Sequence, residues 1–304
     1  MSTHRNTSRY GWRILLILAT LTLGACDQND SGNAADIQYY VSLGTSLSVG
    51  VQPDSGGRLG LTNQGYADQL YGIIKPAFDA AGPPTRTLQH VSFGCPGETT
   101  STMTNGGICP YLEGSQLDAA VAFLTANQGK IHLVTIDMGG NDVRDSGCIG
   151  PTAVDLTCMT NASLAISNDL ATIVTALRNA AGPGTTIVGM NYYNPYLSSW
   201  LVDIAGQALA VQSADAMRIV NGDIGQTYGT AQMPLADVAA AFQSDDFVTM
   251  VSSSLPPPND VLPANVANIC SMTYMCDPAP VGPDIHANTA GYGLIADTFA
   301  AVLP

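Results

Sequence analysis

The sequence contains few basic residues and few charges of any kind. Only 10 of its 304 residues are Lys or Arg, against 24 Asp or Glu, and charged residues make up 11% of the chain. A formal net charge of −14 leaves no basic patch that could bind the phosphates of a nucleic acid. The composition therefore argues against nucleic-acid binding, while the length is sufficient for a domain with a sizeable core.

The apolar run near the N-terminus is too short to span a membrane. Arg5, Arg9 and Arg13 accompany it, and no Asp or Glu occurs before Asp27. A basic lead followed by a short apolar run is typical of an export signal. Removal of residues 1–25 takes away three positive charges and changes the net charge from −14 to −17. An anionic membrane surface would repel the remaining chain.

The export signal ends in "LGAC", in which Gly24 and Ala25 precede Cys26. This ending resembles the signal of bacterial lipoproteins, and the resemblance implies cleavage before Cys26 and lipidation of its thiol. An ordinary secretory signal with an odd cysteine is the alternative. More than one acyl chain anchors a protein strongly, and the polar, aperiodic residues 26–36 would form a flexible tether. We therefore expect an exported protein that is lipid-anchored in the cell envelope.

The chain lacks the C-x-x-C pattern, although it has seven cysteines. If Cys26 carries lipid, six remain, and an even number in an exported protein indicates disulfides. Six cysteines allow 15 pairings. We expect the pairing of sequence neighbours, each within one loop-like stretch, which joins Cys95 to Cys109, Cys148 to Cys158 and Cys270 to Cys276. A zinc site is the alternative that the missing C-x-x-C pattern argues against.

Apolar runs alternate with helical patterns along the chain. Five runs cover residues 38–43, 87–93, 131–138, 185–191 and 233–238. Four of them are rich in Val, Ile and Leu without strict alternation, which is typical of strands buried on both faces. Apolar residues at helical spacing cover residues 64–81, 115–126, 161–180, 197–228 (as a helix or a broken helix) and 289–302. This alternation predicts a doubly wound α/β/α domain. Residues 252–268, rich in Pro and Asn, predict a long surface excursion.

Reactive residue types collect where the predicted strands end, which is where parallel sheets bind ligands. Ser46 follows the first strand, Gly97 in "GCPGETT" the second, and Asn141 in "GGND" the third. A serine nucleophile needs a base within hydrogen-bond reach. Of the histidines after residue 25, His90 and His132 lie within predicted strands and suit packing, whereas His286 lies in a loop before the last helix and is the best candidate.

Taken together and in order, these blocks resemble those of the SGNH hydrolase superfamily, also called GDSL esterases and lipases. "SLGTSLSVG" resembles the first block, "CPGETT" the second, "GGND" the third and "DIHANTAGY" the fifth. The resemblance covers about residues 39–299. It implies a flavodoxin-like α/β/α three-layer sandwich with a mainly parallel five-stranded sheet, as a single domain over residues 37–304. It also implies ester hydrolysis through an acyl-serine, without metal or organic cofactor.

Block by block, the resemblance implies a role for each residue. Ser46 would be the nucleophile and His286 its base. The Ser46 N–H, the Gly97 N–H and the Asn141 side-chain amide would form the oxyanion hole. Glu98 and Asp142 are better suited to holding loops than to binding substrate.

Two positions depart from the family pattern. Thr45 stands where the family has Asp, beside the nucleophile. Pro283 stands three residues before His286, where the family has its acid. Asp284, two residues before, would orient the imidazole in its place, or a backbone carbonyl of Pro283 or a neighbour would do so.

We therefore expect a carboxylic-ester hydrolase, acting on lipophilic or short-chain acyl esters, with Tyr193 or Tyr196 in contact with the substrate. A carbohydrate O-acetylesterase of the same fold is one alternative. A non-catalytic surface lipoprotein on a decayed hydrolase scaffold is the other, and the changes at Thr45 and Pro283 motivate it. The expected partners are an ester substrate and, through Cys26, a membrane; we expect a monomer.

Overall fold

Five parallel strands form the central sheet in the computed structural model of the protein, which describes residues 36–83 and 85–304. The strands of this sheet are β1 Asp36–Leu43, β4 Arg86–Ser92, β5 Ile131–Ile136, β6 Thr186–Met190 and β7 Leu235–Ala236. Three two-stranded sheets pair β2 Val51–Pro53 with β3 Leu59–Leu61, β8 Met250–Ser252 with β9 Val261–Pro263, and β10 Thr273–Tyr274 with β11 Asp284–Ala287. The predicted signal segment 1–25, the predicted lipidation site Cys26 and the tether before residue 36 lie outside the described residues.

Continuous apolar runs explain why β1 and β5 lie in the interior of the sheet. Val41 of β1 pairs with Val91 of β4 on one side and with Val134 of β5 on the other. Every residue of β5 except His132 is buried. A strand that is covered on both faces needs apolar side chains at successive positions, and these runs supply them.

Helices cover both faces of the sheet, which confirms the predicted α/β/α three-layer fold. They are α1 Tyr66–Ala81, α2 Thr100–Asn105, α3 Gln116–Ala126, α4 Gly140–Ser146, α5 Leu156–Ala181, α6 Ile204–Thr230, α7 Val238–Ala241, α8 Ala264–Met272 and α9 Thr289–Ala300, with a 3₁₀ helix at Pro195–Leu201. Helices α1 and α9 pack against each other, and α5 packs between α3 and α6. None of the helices in residues 36–83 and 85–304 is long and apolar enough to cross a membrane.

The strand order of the sheet is β4–β1–β5–β6–β7. The chain leaves β1 toward one edge of the sheet and, after β4, returns past β1 toward the other edge. This is the flavodoxin-like order, in which the direction of winding changes between β1 and β5. The loops that follow β1 and β5 therefore open outward at the position where doubly wound sheets bind ligands. Ser46 lies in the loop after β1, and Asn141 lies in the first turn of α4, directly after the loop that follows β5.

The last predicted strand and the predicted surface excursion differ most from the structure. Of residues 233–238, only Leu235 and Ala236 pair in the sheet, as an edge strand. Residues 252–268 are not all surface, because the chain turns back through β9 into α8, where Val266 is fully buried. Asn265 is also buried, since its Nδ2 donates to the Ser244 carbonyl. Composition alone could not predict that partner.

Candidate active site

Gly44 ends β1 and fixes the start of the loop that carries Ser46. Its φ of +134° is a conformation that residues with a side chain avoid. A Cβ at Gly44 would lie 1.8 Å from Asp137 Oδ1. Its N–H donates to Gln116 Oε1 (2.7 Å), and its carbonyl accepts from the Cys95 N–H (2.9 Å). The chain therefore turns at a fixed point two residues before Ser46.

Asn141 and Gly97 are joined through the backbone of their shared neighbour, Glu98. Asn141 Nδ2 donates to the Glu98 carbonyl at 2.8 Å, which leaves its second N–H for another acceptor. Gly97 has a φ of +85°, and a Cβ there would meet no atom within 4 Å. Within residues 36–83 and 85–304, the N–H groups of Ser46 and Gly97 donate to no protein acceptor. Three donors in this region are thus available to a ligand.

His286 lies on β11 and is oriented by Asp284. Its Nδ1 is 2.8 Å from Asp284 Oδ1, and its backbone N–H donates to the same oxygen at 3.0 Å. Burial raises the pKa of Asp284, but the hydrogen bonds from the His286 ring and backbone outweigh burial and hold that pKa below its usual value. An Nδ1–H that is donated to a carboxylate leaves the Nε2 lone pair free to accept a proton.

One small cavity brings Ser46, Asn141 and His286 together. It has a volume of about 70 Å³, and these three residues line it. They expose 7%, 6% and 8% of their surfaces, respectively. Gly97 is not among its lining residues. It is linked to the cavity through the next residue, Glu98, whose carbonyl accepts a hydrogen bond from the lining residue Asn141. The remaining walls are mostly apolar and include Leu47, Val143, Tyr193, Tyr196, Met217 and Ile285.

Tyr193 and Tyr196 both line this cavity, as the position of "NYYNPYLSSWL" after a strand suggests. The Tyr193 hydroxyl donates to the Ile285 carbonyl at 2.7 Å, and its ring stacks on Phe242 with centroids 4.7 Å apart. Tyr193 therefore also ties the segment beside His286 to the end of β6.

Glu98 and Asp142 make loop contacts, as predicted. Asp142 accepts hydrogen bonds from the Thr100 N–H and hydroxyl. Burial raises the pKa of the Asp142 carboxyl even though these bonds lower it. Glu98 Oε2 accepts from Gln116 Nε2 at 3.2 Å, so Gln116 connects the second block to Gly44.

A second serine–histidine pair lies away from this cavity. Ser42 Oγ is 2.8 Å from His90 Nε2, and His90 Nδ1 is 3.7 Å from Asp68 Oδ1. Ser42 is completely buried, so no substrate can reach it. Burial lowers the pKa of His90 to about 4, and its ring stacks on Tyr40. This pair belongs to the core, in agreement with the packing role expected of His90; His132 packs against Phe78.

Two buried polar residues that hold the segment before Ser46 were not predicted from the sequence. Gln116 begins α3 and is fully buried. Asp137 is also fully buried, directly after β5, and accepts hydrogen bonds from Thr45 and Tyr66. A carboxylate within an apolar run just before "GGND" is the signal that could have identified Asp137, because burying an unpaired carboxylate is costly.

The three predicted disulfides are all present: Cys95–Cys109, Cys148–Cys158 and Cys270–Cys276. The pairing leaves these six residues no thiolate with which to bind zinc. Disulfides persist in oxidising compartments, which indicates an extracellular or periplasmic protein. The first bridge begins two residues before Gly97, and the Cys95 N–H holds the Gly44 carbonyl.

We expect the Cys95→Ser/Cys109→Ser variant to lose at least about fivefold in kcat, because the segment that carries Gly97 is no longer constrained by the disulfide. If the Gly97 N–H is an oxyanion donor, as the resemblance implies, its complete loss would cost about 10²–10³ in kcat, which sets the upper limit. The matched control is Cys148→Ser/Cys158→Ser, beyond the end of α4, whose main effect should be a lower Tm. Equal kcat values for the first variant and wild type would show that this bridge only stabilises the fold.

Comparison with known proteins identifies the fold. No family model matches the chain, and no curated protein sequence matches it. Solved structures do match. An extracellular lipase from Streptomyces rimosus is similar over 88% of this chain and 100% of its own, with a TM-score of 0.50 and 18% identity. The lipase Lip_vut3 from a goat rumen metagenome is similar over 87% and 96%, with a TM-score of 0.50 and 17% identity.

A third structure carries the family name itself. A protein assigned as a GDSL-like lipase from Parabacteroides merdae is similar over 88% of this chain and 95% of its own, with a TM-score of 0.51 and 13% identity. At these identities the likeness concerns the fold, and it agrees with the order of sequence blocks. The chain therefore has the fold of the SGNH hydrolases, the GDSL esterases and lipases.

Proposed function

We propose that the protein is a carboxylic-ester hydrolase that acts through an acyl-serine intermediate on Ser46. The observation that carries this proposal is the single cavity lined by Ser46, Asn141 and His286. The 2.8 Å contact between His286 Nδ1 and Asp284 adds the third member of a serine–histidine–acid arrangement, which is recognised by geometry and not by position in the chain.

The proposed reaction has two halves. His286 Nε2 takes the proton of the Ser46 hydroxyl as Oγ bonds to the acyl carbon, and the imidazolium then gives that proton to the departing alcohol. A water molecule then attacks the acyl carbon of the acyl-serine as His286 takes its proton. The bond between Oγ and the acyl carbon breaks, the imidazolium returns the proton to Oγ, and the acid leaves. Asp284 stabilises the imidazolium in both halves.

The oxyanion of each tetrahedral intermediate needs donors that are already in place. The Ser46 N–H, the Gly97 N–H and the second N–H of Asn141 Nδ2 are the proposed donors. Donors held by the fold require no reorganisation as charge develops on the oxygen. The hydrogen bond of Asn141 to the Glu98 carbonyl supports this role, since it fixes the amide while leaving one N–H free.

Apolar walls favour an acyl chain over a polar group in the cavity. Each buried methylene contributes about 0.8 kcal/mol, about a fourfold gain in kcat/KM, until the cavity is filled. The small volume of about 70 Å³ limits this gain to short chains. The same small volume would also hold an acetyl group, so a carbohydrate O-acetylesterase is the second candidate.

A panel of nitrophenyl esters beside a panel of acetylated sugars tests the substrate. We expect kcat/KM to rise by about 15-fold from acetyl to butyryl, as two methylenes enter the cavity, and then to level off. Release of acetate from sugars should be slower than hydrolysis of nitrophenyl butyrate. Faster release from sugars, with acetyl as the preferred nitrophenyl ester, would select the acetylesterase.

We further propose that the protein is exported and lipid-anchored through Cys26. The "LGAC" ending and the polar residues after it support the anchor, and the disulfides support export. The intact mass of protein from its native host tests the anchor. Release of Cys26→Ser protein from membranes with unchanged specific activity supports it, and an unmodified Cys26 thiol in wild type contradicts it.

A further inference from the structure

A buried carboxylate lies beneath the loop that carries the nucleophile. Asp137, directly after β5, has no exposed surface. Its Oδ2 accepts hydrogen bonds from the N–H of Thr45 at 3.1 Å and from the Thr45 hydroxyl at 2.6 Å. Its Oδ1 accepts from the Tyr66 hydroxyl at 2.9 Å. The backbone and the side chain of the residue before Ser46 are thus both held by one carboxylate.

The sheet determines where this carboxylate lies. The Asp137 N–H donates to the Leu43 carbonyl, which continues the pairing of β5 with β1. The carboxylate occupies the space that a Cβ of Gly44 would otherwise take. Because Asp137 is closely packed and its backbone is held by β1, its carboxylate has a fixed position, and that position determines where the Thr45 groups of the Ser46 loop lie.

Thr45 stands where the resembled family has the Asp of its Gly-Asp-Ser block. A hydroxyl on the loop and a carboxylate just beyond the end of the neighbouring strand β5 therefore replace a carboxylate on the loop. We propose that Asp137 is the positioning residue of the nucleophile loop, supplying from β5 the carboxylate that Thr45 lacks. This inference rests on the proposed function. Asp137 does not line the cavity, so it acts through Thr45 and not on the substrate.

The negative charge of Asp137 is the feature that matters for this role. Both Thr45 groups and the Tyr66 hydroxyl can donate to an ionised carboxylate at once, and such charge-assisted bonds are stronger than neutral ones. Burial raises the pKa of Asp137 to about 7, against these hydrogen bonds, which lower it. Turnover in wild type should therefore rise with pH through about 7, as the carboxylate ionises.

The titratable groups around Asp137 are tyrosines. Burial raises the pKa of each of them above 10, and the charge of Asp137 adds to that effect, so none titrates near pH 7: Tyr40, Tyr66, Tyr192, Tyr193, Tyr228 and Tyr292. A rise in turnover that depends on Asp137 can thus be assigned by removing this single carboxyl group.

We expect Asp137→Asn to lower kcat by about tenfold or more at pH 8, because charged hydrogen bonds to the loop are lost. KM should stay within about twofold of wild type, since no cavity wall changes. The rate of fluorophosphonate labelling should fall with kcat, because it reports the reactivity of Ser46 directly. The part of the pH profile near 7 that belongs to Asp137 should disappear. Asp223→Asn is the control: Asp223 accepts from the Ser163 hydroxyl at 2.6 Å, between α5 and α6.

Two further variants keep the inference testable if Asp137→Asn fails to fold. The exchange Thr45→Asp/Asp137→Thr returns the carboxylate to the loop, and its kcat should exceed that of Asp137→Thr by about tenfold. Tyr66→Phe removes one hydrogen bond that lowers the Asp137 pKa, so the rise in turnover should move to higher pH.

Stability separates positioning from a merely structural role. The folded pKa of Asp137 lies above its unfolded value of 3.8, so its contribution to stability is complete below about pH 4 and is lost as pH rises through about 7. The Tm of Asp137→Asn relative to wild type should therefore increase from pH 5 to pH 8, while kcat at pH 8 stays low. If Asp137 only stabilised the fold, Asp137→Asn would lower Tm and kcat together at each pH.

The outcomes distinguish this inference from the proposed function. If Ser46→Ala removes labelling and turnover, while Asp137→Asn has the kcat and pH profile of wild type, Asp137 is not a positioning residue and the esterase proposal stands. If wild type is neither labelled nor active on any ester, the proposed function itself fails. Reduced kcat in Asp137→Asn with rescue by the exchange supports both.

Discussion

Ser46→Ala is expected to reduce ester hydrolysis to near the uncatalysed rate, a loss of about 10⁴–10⁶ in kcat. In the proposed mechanism, the Ser46 Oγ forms the acyl-enzyme. The other hydroxyl-bearing residues that line the cavity are Thr45, Tyr192, Tyr193 and Tyr196. The Thr45 hydroxyl is engaged with Asp137. Steady-state kinetics on nitrophenyl butyrate, with folding checked by circular dichroism, measures the loss.

The buried Ser42 provides a matched control for this result. Ser42→Ala removes a hydroxyl that contacts His90 but has no exposed surface. It should lower stability by about 1 kcal/mol through loss of one hydrogen bond while leaving kcat close to wild type. Fluorophosphonate should label wild type and Ser42→Ala, but not Ser46→Ala. Labelling of Ser46→Ala at the wild-type rate would contradict the assigned nucleophile.

Absence of labelling in wild type and in Ser46→Ala would favour a binding protein on a hydrolase scaffold. His286→Ala then adds an independent measurement. In an esterase it should lose nearly as much as Ser46→Ala, because the two residues act as one unit.

Asp284→Asn is expected to lose at least about tenfold in kcat, and up to about 10⁴. The 2.8 Å contact with His286 Nδ1 fixes the tautomer whose Nε2 can accept the serine proton. An asparagine amide at the same place favours the opposite tautomer and cannot stabilise the imidazolium. The hydrogen bonds that lower the Asp284 pKa keep this carboxyl group ionised at neutral pH.

The kinetic pattern distinguishes a triad from a dyad. A triad predicts a lower kcat with little change in KM, since Asp284 does not line the cavity. Asp284→Ala should be at least as impaired, which excludes an effect of the new amide alone. An Asp284→Asn enzyme with a kcat within about twofold of wild type would mean that a backbone carbonyl, of Pro283 or a neighbour, orients His286 instead.

The fold was predictable because its causes are local. Apolar runs with helical patterns between them determine the parallel sheet and the two helical layers. The predictions failed where a polar residue finds a distant partner. Asn265 in α8 is buried because it reaches the Ser244 carbonyl, 21 positions away, and no pattern within residues 252–268 contains that partner.

The amino-acid sequence by itself determined the kinds of residue available for chemistry and their order along the chain. It supplied one loop histidine, a serine after the first strand, and six cysteines, each of which pairs with the cysteine next to it in the sequence order. These features are local, because turn residues and strand ends are encoded within a few positions.

Tertiary structure alone decided which polar groups meet. Ser42 and Ser46 lie four residues apart on one segment, yet only Ser46 reaches a cavity, because β1 ends between them. Thr45 follows β1 and Asp137 follows β5, and the two meet because β1 and β5 pair in parallel. Burial and partners are properties of the packed sheet. The sequence therefore determined the chemical groups, and the fold decided which of them solvent, substrate and carboxylate can reach.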